Sequence, residues 1–238
     1  MSTLLYSVES GLATIMLDRP EARNALNGAM CDELCEAAGR AAADPSVRLV
    51  LVRGNGPVFC AGADVKERQG MTQAQVRERR LRGFAAYAAL EALPMPAIAV
   101  VQGAALGSGV EIAAACDFIV ATPDATFRTP EAQRGTVGAT QRLPRIVGKR
   151  LAKDLMFTGR ALGATEARDA GFVSRLVTDL EAEKAVITQQ VLKAPPLAMK
   201  LAKRTIDRGI ELDPPGALQA EIEAIEEQLK AGQWMGKT

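Results

Sequence analysis

The sequence predicts an α/β fold: a core of mainly parallel strands over residues 1–178, then a helical region over 179–238. Three observations carry this reading. Strand-like and helix-like segments alternate through the first part, the order that parallel pairing with helical crossovers produces. The run Ala97–Val101 is continuously apolar, as in a strand covered on both faces. From about Leu180 onward the pattern is helical only, and Pro195-Pro196 and Pro214-Pro215 divide it into three helices.

Each element has a local reason. Residues 4–8 and 13–17 alternate around Glu9-Ser10-Gly11 and read as two strands joined by a turn. Asp18 to Asn24 breaks that alternation. An Ala-, Glu- and Leu-rich helix follows over 28–43 and stops at Asp44-Pro45. Residues 47–52 form a short β-branched strand, and Gly54-Asn55-Gly56-Pro57 turns the chain. A helix over 71–93, polar at its start, ends at Pro94 and Pro96. After the strand at 97–101, the glycines at 103, 107 and 109 lead into a helix over 108–115, and 117–121 is again a strand. Short helices over 150–157 and 165–170 and a last strand over 173–177 complete the core.

Composition narrows the chemistry. The 238 residues include 29 basic and 28 acidic side chains, a net charge of +1, so no global field favours nucleic acid or an anionic membrane. Arg77, Arg79, Arg80 and Arg82 cluster on the 71–93 helix and read as a solvated face. No apolar run is long enough to span a bilayer, and the N-terminus lacks a signal-peptide pattern, so the expected location is cytoplasmic. There is no histidine, which excludes histidine-dependent triads and histidine-ligated zinc within this chain. Cys31, Cys35, Cys60 and Cys116 show no C-x-x-C spacing and read as small packing residues, and no metal site is expected. Acid–base work at neutral pH then falls to carboxylates, Lys, Tyr, Cys or backbone dipoles.

Three segments are candidates for that work. Phe59 to Glu67 follows a strand and a glycine-rich turn, and its small residues allow close backbone approach to a ligand; a tight turn into a helix capped by Asp64 is the alternative. Gly103 to Glu111 leads from a buried strand into a small-residue helix whose first N–H groups are free to stabilise negative charge. A dinucleotide fingerprint fails there because its third glycine would fall at Ile112. Glu111 lies among Val110, Ile112 and Ala113–Ala115, surroundings that raise a buried carboxyl pKa toward values useful for proton transfer; a place on the helix's one solvent face is the alternative. Thr129 to Gly135 supplies Glu131, either a first-turn helix residue or a second carboxylate facing Glu111 across a site. On the 71–93 helix, Phe84, Tyr87 and Leu90 form an apolar stripe, read as core or pocket wall, and Met156 and Phe157 are read the same way. Trp234 reads as an interface cover or a loose end.

Together these motifs resemble the crotonase superfamily, the enoyl-CoA hydratase/isomerase family, over about residues 4–208. The resemblance rests on Asp18-Arg19-Pro20…Asn24-Ala25-Leu26-Asn27, Phe59-Cys60-Ala61-Gly62-Ala63-Asp64 and Gly103…Gly107-Ser108-Gly109-Val110-Glu111…Cys116-Asp117. Pro130-Glu131…Gly135, Thr140 to Arg145…Gly148 and Thr158-Gly159-Arg160…Ala167…Gly171-Phe172-Val173 extend it. It implies a crotonase-like spiral of ββα units with a C-terminal helical region for trimerisation, as a homotrimer or a hexamer built as a dimer of trimers. It implies an acyl-CoA substrate, with coenzyme A as part of that substrate and no separate cofactor. By motif position, the backbone amides of Ala63 and Ser108 would form the oxyanion hole, with the Ser108 side chain near enough to crowd the thioester. Glu111 and Glu131 would be the catalytic pair, adding water reversibly across the C2=C3 bond of a 2-enoyl-CoA. Ala61, Gly62, Asp64, Val65, Lys66 and Gly107 would bind substrate, and Arg23 and Lys66 are the candidates for the CoA phosphates. Two departures stand out: the 135–140 segment is a few residues shorter than the family's glycine-rich loop, and the chain stops before the family's usual last helical tail. The short loop beside Glu131 keeps other readings open: isomerisation, thioester hydrolysis, a lyase reaction, or silent acyl-CoA binding.

Overall fold

The computed structural model describes residues 2–232. A six-stranded sheet forms its centre. Strand β1 (Leu4–Glu9) pairs antiparallel with β2 (Leu12–Leu17). Parallel partners β3 (Leu49–Gly54) and β4 (Ala97–Val101) follow. Between β2 and β3 runs helix α1 (Gly28–Ala43), capped by the Asn27 side chain; α2 (Gln73–Glu91) precedes β4 and starts with a Thr72–Gln75 capping box.

From β4 onward the chain winds as a spiral. Strand β5 (Ala104–Leu106) and helix α3 (Ser108–Ala114) come directly after β4. The next turn of the spiral gives β6 (Phe118–Ala121) and β7 (Thr126–Arg128), then helices α4 (Arg142–Val147) and α5 (Lys149–Thr158). Strand β8 (Leu162–Gly163), helix α6 (Ala164–Asp169) and β9 (Arg175–Leu176) close the core. Strands β6 and β9 complete the large sheet, in the order β1-β2-β3-β4-β6-β9, while β5, β7 and β8 form a separate three-stranded sheet. The chain therefore alternates between two sheets before each helical return, a mixed α/β architecture of repeated ββα units.

Strand alternation decides which layer each residue serves. Val50, Val52, Ala97, Ala99 and Val101 join the large core with α1 and α2 residues such as Leu34 and Leu90. Leu49, Leu51, Ile98 and Val100 point the other way, onto a smaller core that includes Ile187 of α7 (Leu180–Lys193). Both faces of the central strands are thus covered, which accounts for their unbroken apolar sequence. Helices α8 (Pro196–Gly209) and α9 (Pro214–Lys230) pack on each other and leave Ile206 and Ile210 exposed. Trp234 lies outside the described residues. No helix among the described residues is long and apolar enough to cross a membrane, and no group of three His, Cys, Asp or Glu there could hold a metal.

Several local expectations change. Residues 65–70 form turns rather than a helix: Asp64 accepts from the Lys66 and Glu67 amides, but no helix follows that cap. The arginine face of α2 is not uniformly solvated. Arg79 is buried, pairs with Glu67 at 2.6 Å and donates to the Leu26 carbonyl. Phe157 is 72% exposed rather than core, while Met156 packs against the core. The cysteines are free, and Cys31, Cys60 and Cys116 are buried. Burial pushes the Cys31 thiol up to about 11 and Cys60 up to about 12, away from nucleophilic use.

Candidate active site

A cavity of about 430 Å³ opens between α2, the start of α3, the 61–65 segment and the 130–139 loop. Its position follows from two isolated strand-like contacts. The 60–63 segment bridges Leu26 on one side and Ala105 of β5 on the other. Leu26 donates to the Gly62 carbonyl at 2.8 Å and accepts from the Asp64 amide at 2.8 Å. Cys60 exchanges bonds with Ala104 and Leu106 at 3.1 and 2.9 Å. Gly62 has a φ of +92°, and a side chain there would meet the Leu106 carbonyl at 2.9 Å. Glycine therefore allows the 61–63 backbone to lie against the strand that leads into α3.

That approach brings two amides to one wall. The Ala63 N–H donates to no group among the described residues, nor does Ser108, the first residue of α3. Both residues line the cavity. Tyr87 of α2 and Ser108 both line this cavity, and Tyr87 is buried. Burial drives the Tyr87 phenol upward.

Glu111 projects from the first turn of α3 and is 8% exposed. Burial raises its carboxyl above the ordinary range, while the Arg142 guanidinium, 3.0 Å away, pulls it back. Arg142 also grips Glu91 at the end of α2, at 2.6 Å. A single arginine of α4 thereby ties α2 to α3 and gives the Glu111 carboxylate a counter-charge.

Glu131 sits one residue beyond Pro130, ahead of the single turn of 3₁₀ helix Ala132–Arg134. Its Oε2 is buried and accepts no hydrogen bond from the described residues. Burial raises its carboxyl, the nearby Glu111 charge raises it further, and Arg134 and Arg80 pull the other way. Gly107 (φ +47°) and Gly138 make room for it: a side chain at Gly107 would meet Glu131 Oε1 at 2.6 Å, and one at Gly138 would meet its Cγ at 3.0 Å. The Thr136 amide donates to the Glu131 carbonyl at 2.9 Å. The short 135–140 loop therefore wraps onto Glu131 and leaves it facing the cavity.

Of the expected site residues, Glu111, Glu131, Ala63, Ser108, Ala61, Gly62, Val65 and Gly107 line the same cavity. Asp64 and Lys66 do not line it. Asp64 instead pairs with Arg19 at 2.9 Å, and Arg19 also holds the Ala25 carbonyl at 2.6 Å, so this pair braces the 61–64 backbone from behind. Arg23 likewise stands outside the cavity wall; its carbonyl accepts from the Ala61 amide at 2.9 Å. Residues missed in the sequence are Arg142, Arg80 and Arg134. Arg142 belongs to the Thr140–Arg145 motif, and its pairing with Glu111, 31 residues away, gives it a structural role. The Phe84–Tyr87–Leu90 stripe divides: Leu90 is core, whereas Phe84, half exposed, and Tyr87 line the cavity.

The chain matches the enoyl-CoA hydratase/isomerase family over residues 7–234. It is 42% identical over 225 residues to a probable mitochondrial enoyl-CoA hydratase 2 of Arabidopsis thaliana, covering 91% of this chain and 74% of that protein. A crystal structure of enoyl-CoA hydratase from Bacillus anthracis superposes with a TM-score of 0.91 at 35% identity, over 94% of this chain and 90% of the other. A putative enoyl-CoA hydratase from Thermobifida fusca, solved in complex with CoA, gives 0.90 at 27% identity, over 97% and 94%. Two sheets, a spiral of ββα units and a cavity with two carboxyls beside two free amides define the class, and the chain belongs to the enoyl-CoA hydratase/isomerase family.

Proposed function

We propose that this protein hydrates 2-enoyl-CoA thioesters reversibly. The observation that carries the proposal is a pair of carboxyls, Glu111 and Glu131, lining one cavity together with Ala63 and Ser108, whose amides are unused. The thioester oxygen accepts from those two amides, which stabilise negative charge as the enolate forms. Glu111, paired with Arg142, takes a proton from water as the water oxygen bonds to C3. Glu131, raised by burial and by Glu111, carries the proton that goes to C2. Atoms balance: the substrate gains one OH and one H, and the two carboxyls exchange protonation states until solvent resets them.

One observation favours a second reading. Because Glu111 is held in an ion pair, Glu131 could act alone, removing a proton from C2 of a 3-enoyl-CoA and returning it at C4. Crotonyl-CoA and a 3-enoyl-CoA separate the two, with product identification for each. Conversion of crotonyl-CoA to 3-hydroxybutyryl-CoA supports hydration. Inert crotonyl-CoA with rapid isomerisation of the 3-enoyl thioester overturns it in favour of the second reading.

We also propose that the exposed apolar face of α8 and α9 is buried between copies in a trimer or hexamer. Light scattering tests this: a monomer at micromolar concentration contradicts it.

A further inference from the structure

Three arginines face the cavity without an acidic partner. Arg68 comes from the turns after Val65, Arg80 from α2, and Arg134 from the 3₁₀ turn after Glu131. Among the described residues none of them forms an ion pair, whereas the fourth cavity arginine, Arg79, is matched by Glu67. The carboxyls in the wall do not balance them. Glu111 is matched by Arg142, and Glu131 forms no ion pair with any of the three among the described residues. The space is therefore cationic away from the two glutamates.

Arg80 is the most informative of the three. It is half-buried, and its Nη2 reaches the Thr136 hydroxyl and, at 2.8 Å, the Val137 carbonyl. Both contacts use one nitrogen, so Nε and Nη1 keep their donors unspent on protein groups. A guanidinium drawn partly out of water and given only neutral acceptors is costly unless an anion joins it. Its place on α2 is seven residues before Tyr87, a rise of about 10 Å along a helix axis. Thr136, which Arg80 holds, donates its amide to the Glu131 carbonyl, so Arg80 stands on the Glu131 side of the cavity, where an acyl group beyond C2 would lie. Arg134 and Arg80 are also the two cations that act on Glu131.

Resting on the hydratase-family reading of this cavity, we propose that the preferred acyl group ends in a carboxylate, bound by Arg80 and Arg134. Coenzyme A offers a second source of anionic oxygen in its phosphates. The long pantetheine arm separates these from the thioester, whereas Arg80 and Arg134 flank the catalytic carboxyl itself. A bidentate guanidinium contact would select carboxylated over neutral chains of equal length.

The test uses unreactive saturated thioesters, so it does not depend on whether hydration is the reaction. Calorimetric binding of glutaryl-CoA and pentanoyl-CoA to the intact protein compares an acyl carboxylate with a neutral chain. The proposal expects glutaryl-CoA to bind about tenfold more tightly or better. That ratio should shrink toward one in Arg134→Met and in Arg80→Met; Arg134 is exposed, so its variant remains informative if loss of Arg80 disturbs the loop. Equal or tighter binding of pentanoyl-CoA overturns the proposal, as does a preference that survives both substitutions. Equal weakening of free CoA and both thioesters overturns it too, assigning the arginines to the phosphates.

Discussion

Glu111 and Glu131 are the same residue type in opposite settings. Glu111 rises from a helix whose neighbours are core residues, and an arginine from a second helix neutralises it. Glu131 is held by a loop through glycine contacts and a backbone hydrogen bond, and one of its oxygens has no partner among the described residues. Both carboxyls are raised chiefly by burial, but only Glu111 has a bonded counter-charge. A carboxyl pair with one ionised and one protonated member can move a proton in each direction during a single turnover. The helix half of the site pairs its carboxyl with an arginine, and the loop half leaves its carboxyl without an ion pair among the described residues.

This contrast can be broken at either end. Glu131→Gln and Glu111→Gln should each lower crotonyl-CoA hydration by about 10²–10⁴, the usual scale for a lost acid–base group. Near-normal rates in both would remove the two-carboxyl account. Gly138→Ala is the subtler probe: its new methyl would press the Glu131 side chain at 3.0 Å, and a displaced carboxyl should cost about 10–100-fold in kcat with a smaller change in KM. The stability effects should then diverge. Glu111→Gln leaves Arg142 with Glu91 alone, an expected loss of about 1–3 kcal/mol in denaturant unfolding. Glu131→Gln removes a carboxyl with an unsatisfied oxygen and should leave stability unchanged or raised.

The smallest effect concerns pH. Glu131 is raised on folding, so the folded state favours its protonated form. That favourable contribution is complete below the unfolded-state pKa and is lost as pH rises through the folded value. Thermal melts should therefore show Glu131→Gln gaining on the parent protein as pH moves from acidic to neutral. A gap that stays constant with pH would contradict the shift.

How much was legible in the sequence follows from element length and contact range. The alternating strands at 4–17, the apolar strand at 97–101 and the helix over 28–43 state their periods plainly. Strands β5, β7 and β8 span only two or three residues each, too short for a period, and their pairing is set by the turn of the spiral. Helix α4 was missed because six residues around Pro144 give little helical pattern. Glu111 stood out because a carboxyl among Val, Ile and Ala needs a reason. Glu131 was ambiguous until Gly107 and Gly138 closed on it. The Arg79–Glu67 and Arg142–Glu111 pairs join residues 12 and 31 apart in sequence, and a polar stretch gives no local sign of such partners.

The proposed mechanism divides the labour: Glu131 handles the proton at C2, and Glu111 handles water. Exchange of the C2 protons of butyryl-CoA in deuterium oxide, followed by NMR, isolates the first task because no water is added. The account predicts exchange in the parent protein, substantial exchange in Glu111→Gln, and loss of exchange in Glu131→Gln. Exchange that survives in Glu131→Gln and disappears in Glu111→Gln would contradict it.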